Sequence, residues 1–419
     1  MTASNRTVTL GPFPLGMDNR LPDHALVDLV EKATLLRSAV NVDVTNAGTL
    51  RRRAGRTKLI SGSDCHSLFT SVSGASYYVD FQELKRITHP SLTVASVRSG
   101  LTPGKRMSFA DMPDGSTLAT NGVDIFRIVG DHTIPLGAPA VQTVPLPIIN
   151  NNGSLEPGTY QVAFAYVNSD GEIGPATPVQ TVTLTVRAAI EVLGIGGFPV
   201  GASGMHVYLS AANGEHLFRV ATLSAPAPLV IATPPTFGAR CTTLNKMHLP
   251  PGEIIRHHNG RVLVASGNLL YYSDPYSVLF TPSQGYIPFP EPITVIEPCN
   301  NGFYIVADQT YWIDGEITDT DLNPVLPYGA IPYTSGQIPN ANSCWWMSTR
   351  GVVRGDQTGQ VTNLQEKYIV TGPSEAGAAG FVERNGLKQI VVPTFNTGSS
   401  GAAVASWMDA EIVRKGTQL

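Results

Sequence analysis

The feature that most constrains this chain is a spacing. A turn signal followed by an apolar strand recurs at Gly74, Gly115, Gly260, Gly302, Ser343 and Gly386. Successive anchors differ by 41, 145, 42, 41 and 43 residues. Four of the five intervals agree within two residues, and the fifth is one period plus an insertion of 103. Without gaps, Val264 falls on Val306, Ala265 on Ala307 and Tyr271 on Ile313. A period in this range marks a repeat architecture whose units bury their apolar faces only against one another.

The content of one unit indicates which architecture. Asn-Gly and Asp-Gly at the anchors suit the positive φ angles of two-residue hairpins. The strand after the turn is an unbroken apolar run, as in Val262–Ala265 and Tyr304–Ala307. An unbroken run implies burial on both faces. The following strand is expected to be aromatic-rich, with Tyr77-Tyr78, Leu270-Tyr271-Tyr272 and Tyr311-Trp312-Ile313. About four strands per period, covered on both sides, make a propeller blade. The fold class expected is therefore all-β, a β-propeller of about six blades. Residues 402–407 are expected to complete the last blade, and a strand near 49–60 to close the ring against it.

The insertion at 139–248 carries short β-rich segments at Pro157–Val167, Gln180–Val186, Gly204–Ser210, Leu217–Leu223 and Leu229–Ala232. That pattern predicts a small β-sandwich, and it resembles a fibronectin type III-like module. The organisation read from the chain is an N-terminal arm at 1–48, blades one and two at 49–138, the sandwich at 139–248, and blades three to six at 249–419. Within the arm, the spacing of Leu26, Leu29, Val30, Ala33 and Leu36 predicts a short helix between Asp23 and Asn41.

Composition bears on partners. Only 14% of the 419 residues are charged and the net charge is −4. So little charge suggests an exterior largely covered by other protein, and no basic excess favours wrapping nucleic acid. The one basic run, Arg51-Arg52-Arg53 with Arg56 and Lys58, reads as a solvated or interface-paired turn. Cys65, Cys241, Cys299 and Cys344 include no CxxC pair, so they read as buried free thiols in a reducing compartment. No signal segment and no bilayer-length apolar run is visible, so synthesis and folding in a cytosol without export are expected.

No motif requires chemistry. GxSxG is absent, and Gly194-Ile195-Gly196-Gly197 lacks the third glycine and the helix of a dinucleotide site. His257 and His258 are neighbours on a strand and point to opposite faces, which suits structure better than a shared metal. Asp314, Glu316, Asp319, Asp321 and Asn323 form an acidic loop. Its alternation suits calcium, but Pro324 replaces the glycine such a loop needs. Repulsion of other polyanions by its like charge is a second role for it. No catalytic, cofactor-binding or metal-binding residue is assigned, and no cofactor is expected.

A resemblance adds a context. The run GMDNRLPDHAL, then Asn41-Val42-Asp43, Gly48 and Arg52-Arg53-Ala54-Gly55, resembles the opening of tail proteins from short-tailed bacteriophages. Residues 257–275 and 158–178 are similar to propeller and insert segments of the same proteins. The resemblance implies a non-enzymatic tail nozzle or tail hub protein, forming a homohexameric ring around the DNA ejection channel. Implied partners are a tail adaptor, tail fibres or spikes, and passing viral DNA read without sequence specificity, with no membrane insertion. Its implied place is the virion tail, assembled in the host cytoplasm. The alternative is a virion propeller that binds or cleaves host polysaccharide. That reading predicts Asp, Glu, Arg and Trp gathered at one mouth of the propeller.

Overall fold

The computed structural model describes residues 12–13, 16–28, 33–40, 42–45, 47–52, 58–277, 279–315, 317, 322–369, 371, 374–384, 387–395 and 411–412. Packing density divides the chain into two units. One comprises Asp64–Ser266 with Leu270–Ile287, the other Met1–Ser63 with Gly267–Leu269 and Pro288–Leu419. The fold is all-β and propeller-like, built from a series of antiparallel meanders.

Among the described residues the arm is extended, which corrects the helix expected there. Asp23–Ala25 forms one 3-10 turn, and β1 (Val27–Asp28) pairs with β2 (Ala33–Thr34). Leu36 makes a parallel bridge to Met17, and Asn19 N–H donates to the Tyr368 carbonyl at 3.0 Å. The apolar spacing was real, but backbone pairing along the arm takes the bonds a helix would have made internally. Next, β3 (Val42–Val44) and β4 (Leu50–Arg52) form a hairpin with Asp43 opposite Arg51. Among the described residues β4 pairs with β3 in an arm hairpin, while residues 53–57 of the expected closing strand and the 402–407 segment it was to meet lie outside them.

In the first unit, β5 (Cys65–Thr70), β6 (Ser76–Asp80), β7 (Glu83–Thr88) and β8 (Thr93–Arg98) make the first blade. The second is β9 (Ser108–Asp111), β10 (Thr117–Thr120), β11 (Ile125–Val129) and β12 (His132–Ile134). The sandwich follows. Strands β13 (Leu146–Leu155), β16 (Ala188–Leu193) and β19 (Leu229–Ile231) form one sheet, in that order. The other runs β15 (Gln180–Leu184), β14 (Gly158–Val167), β17 (Gly204–Leu209) and β18 (Phe218–Leu223). Tyr160, Val162, Phe164, Ile190, Val192, Val207 and Leu209 fill the space between the two sheets. A short pair, β20 (Lys246–His248) with β24 (Phe280–Pro282), flanks the third blade. That blade is β21 (Ile254–His258), β22 (Arg261–Ser266), β23 (Leu269–Tyr272) and β25 (Tyr286–Pro288), of which Leu269 and Pro288 are counted with the other unit.

The second unit holds the fourth blade, β26 (Val295–Cys299), β27 (Gly302–Val306), β28 (Thr310–Asp314) and β29 (Asn323–Leu326). The fifth is β30 (Ala330–Gln337), β31 (Ser343–Ser348), β32 (Gly351–Asp356) and β33 (Val361–Asn363). A short pair, β34 (Ala376–Gly377) with β37 (Thr394–Phe395), accompanies a sixth sheet of β35 (Gly380–Arg384), β36 (Leu387–Val392) and β38 (Glu411–Ile412). The strand expected at 402–407 lies outside the described residues.

The five described anchors fall between the first and second strands of a sheet or at the second strand's first residue, and Gly386 lies outside the described residues. The second strands are buried on both faces: β10, β27 and β31 throughout, and Val262–Ala265 within β22. The fourth strands β8, β12, β25, β29 and β33 have no buried residue. Tyr77-Tyr78 belongs to a second strand, β6, one strand earlier than expected. The turn chemistry also differs between anchors. Asn259 and Gly260 have φ of 46° and 77°, as a tight two-residue hairpin requires. Gly302 has no positive φ. It is glycine because a Cβ there would run into the Ile313 carbonyl and the Trp312 ring.

Candidate functional site

Neighbouring blades of one unit meet through apolar clusters sealed by a few polar contacts. Between blades one and two, Phe69 stacks on Phe109 with centroids 5.0 Å apart, and Tyr77, Val79, Leu84 and Phe126 pack beside them. Asp111 ties the edge. It accepts from Ser71 Oγ at 2.7 Å, from Val72 N–H at 2.8 Å and from Thr117 Oγ1 at 2.9 Å. The Arg98 guanidinium lies 4.3 Å from the centroid of Phe126 and 3.7 Å from Asp124. Between blades two and three, Thr120 Oγ1 donates to the Gly252 carbonyl at 2.9 Å, and Gly122 N–H donates to the same oxygen at 2.8 Å.

The seam between blades four and five is the most aromatic. Tyr304 lies 4.6 Å from Trp312 and 5.2 Å from Trp346, centroid to centroid. Its hydroxyl donates to the carbonyls of Asp356 at 2.8 Å and Gln360 at 3.0 Å. Burial, then nearby negative groups, push this phenol well above its usual range, so it stays a neutral donor. Glu297 is 1% exposed and accepts from Ser335 Oγ at 2.7 Å. Cys299 Sγ stands 3.8 Å from Cys344 Sγ in the same seam. Asp111, Glu297, Tyr304 and this cysteine pair had no motif to mark them. Each contact joins residues about 40 or more apart, roughly one repeat period, and that spacing was the available signal.

The residues singled out from the sequence are dispersed. His257 pairs with Val262 and His258 with Arg261 on the β21–β22 ladder, so as strand neighbours they face opposite ways. Burial lowers both imidazoles, and for His258 burial and then the His257 charge bring the value to about 4. No group of three metal-ligating side chains occurs among the described residues. Gly194–Gly197 forms a loop after β16, and no helix follows it. In the acidic loop, Asp314 ends β28 and Asn323 begins β29, while Glu316, Asp319 and Asp321 lie outside the described residues.

Arg51 and Arg52 are exposed on β4, with Lys58 exposed beyond, and Arg53 and Arg56 lie outside the described residues. Trp312, Trp345 and Trp346 are buried inside blade seams, not gathered on a surface. Cys65 is exposed, against the expectation of four buried thiols, on a strand, β5, that has no buried residue. Among the described residues no helix is long and apolar enough to cross a membrane.

No protein-family model and no curated protein matches the chain. Solved structures similar to it include the BBS1N–ARL6DN complex, at 13% identity and a TM-score of 0.34, over 80% of this chain and 91% of that one. Dipeptidyl peptidase 4 of Porphyromonas gingivalis is similar at 9% identity and a TM-score of 0.29. The match covers 80% of this chain, which spans only 44% of the peptidase chain. A chain of a mitotic checkpoint complex is similar at 9% identity and a TM-score of 0.30, over 83% and 96% of the two chains. Likenesses at this level say nothing of function.

Proposed function

We propose that this chain is a structural virion protein, one subunit of the distal ring, or nozzle, of a short phage tail. The observation that carries the reading is the β3–β4 hairpin. Val42-Asp43, Gly48 and Arg52 of the resemblance fall in this one hairpin, with Asp43 opposite Arg51 and with Leu50, Arg51 and Arg52 exposed, while Asn41 and Arg53-Ala54-Gly55 lie outside the described residues. A basic, partly apolar exposed strand suits contact with another subunit.

Exposed apolar side chains on the first blade support self-association in the same way. Leu68 is 73% exposed, Val72 86% and Phe81 53%. In this reading six copies surround the DNA ejection channel, bind a tail adaptor, and carry fibres or spikes. The protein is then non-enzymatic, and DNA passes without being read.

Mass photometry and negative-stain imaging of the purified protein test this directly. Sixfold rings, and the same rings at the end of a short virion tail, are the expected result. A lone monomer with glycosidase activity overturns it.

A further inference from the structure

We propose that Cys299 and Cys344 form a reversible disulfide that fastens the fourth blade to the fifth, making this seam an oxidation site for small peroxides. The inference does not depend on the functional reading above.

The geometry supplies the case. Cys299 ends β26 and Cys344 lies in β31, both within the unit that contains Pro288–Leu419. Their sulfurs are 3.8 Å apart, so a disulfide needs an approach of roughly 1.8 Å. Neither backbone is free to wander. Cys299 is paired with Gly302, and Cys344 with both Gln337 and Gly355. The sulfurs are therefore held together by ladders that exist without them.

Their surroundings select the oxidant. Cys299 is 7% exposed and Cys344 is fully covered, among Val295, Tyr304, Trp346 and Val353. A bulky disulfide reagent does not fit there, whereas hydrogen peroxide is close to the size of water. The contact with Cys344 holds the Cys299 thiol below its usual range, while burial drives Cys344 well above it. Cys299 is thus the sulfur that reacts first.

The chemistry balances. Cys299 Sγ attacks one peroxide oxygen and the O–O bond breaks. The sulfur becomes a sulfenic acid, and the departing hydroxide takes the thiol's proton to leave as water. Cys344 Sγ then attacks the sulfenic sulfur and the S–O bond breaks. The hydroxyl leaves with the Cys344 proton as a second water. Two thiols are oxidised by two electrons, and one peroxide is reduced to two waters. Cys65 and Cys241 lie in the other unit and take no part.

The test uses the full chain. It is treated with hydrogen peroxide, quenched, denatured and alkylated, then weighed intact and mapped by peptide mass spectrometry. The expected result is the loss of two hydrogens, two fewer alkyl adducts, and a peptide joining Cys299 to Cys344. The thermal midpoint rises by about 5 °C, and dithiothreitol reverses the rise. Cys344→Ser, or Cys299→Ala if that variant folds poorly, removes both the joined peptide and the rise. Four alkylated cysteines after peroxide treatment overturn the proposal. So does irreversible oxidation of Cys299 without a crosslink, or a crosslink that involves Cys65.

Discussion

The hydroxyl of Tyr304, in the fourth blade, donates 2.8 Å to the main-chain carbonyl of Asp356, in the fifth. This bond, with its twin to Gln360, makes a buried aromatic side chain also a polar clasp. Tyr304→Phe keeps the ring and leaves two carbonyls with one donor fewer. It should cost about 1–2 kcal/mol in chemical denaturation. The phenol is raised in the folded state, so its contribution is complete below pH 10 and declines as pH climbs above it. The wild type should lose stability in that alkaline range more steeply than the variant.

Asp111 gathers three donors at the edge between blades one and two. Ser71 is itself 5% exposed, so removing its acceptor strands a buried hydroxyl. Asp111→Ala should destabilise by about 2–3 kcal/mol, measured by urea unfolding. Asp111→Asn retains an acceptor and should cost less. Equal losses for the two variants would show that the bonds matter less than the charge.

His258 makes the protein acid-sensitive. Its folded value near 4 lies below the ordinary imidazole value of 6.5. Between these values the unfolded chain binds a proton that the folded chain does not. Stability from this residue is therefore complete above pH 6.5 and lost as pH falls toward 4. His66, His206, His248 and His257 are lowered by burial in the same direction. His258→Gln should flatten the decline of thermal midpoint between pH 6.5 and 4. An unchanged slope would assign the acid sensitivity to the other four.

The exposed β4 strand separates assembly from folding. Arg51 and Arg52 are exposed, so the double change Arg51→Ala, Arg52→Ala should leave subunit stability within about 1 kcal/mol. In the ring reading it should weaken assembly, seen as a shift from rings to single subunits in mass photometry. Rings that persist unchanged would place the subunit contacts elsewhere.

The blades were legible because a second strand covered on both faces has almost no freedom in composition. Val262–Ala265 and Tyr304–Val306 could be read directly. Two sandwich strands were not legible. β13 contains Pro147, three asparagines and a register shift between Asn150 and Leu155, so it reads as a turn. β16 begins with two alanines, which carry little strand preference, and only its neighbours make it a strand. The arm misread as helical shows the same limit, since its apolar spacing could not reveal the backbone partners that straightened it. The polar seams were invisible for another reason. A contact such as Ser335 with Glu297 depends on which residues of successive repeats face each other, and periodicity gives the interval without the facing.

The sandwich leaves the chain after β12, when the second blade already has its full set of strands, and the next blade begins at β21. No blade ladder is interrupted by the detour. Such a cassette can be lengthened, exchanged or removed without rewiring either flanking sheet. The joints to be repaired after such an exchange are few, among them His248 with the Ala138 carbonyl and Arg127 with Glu172.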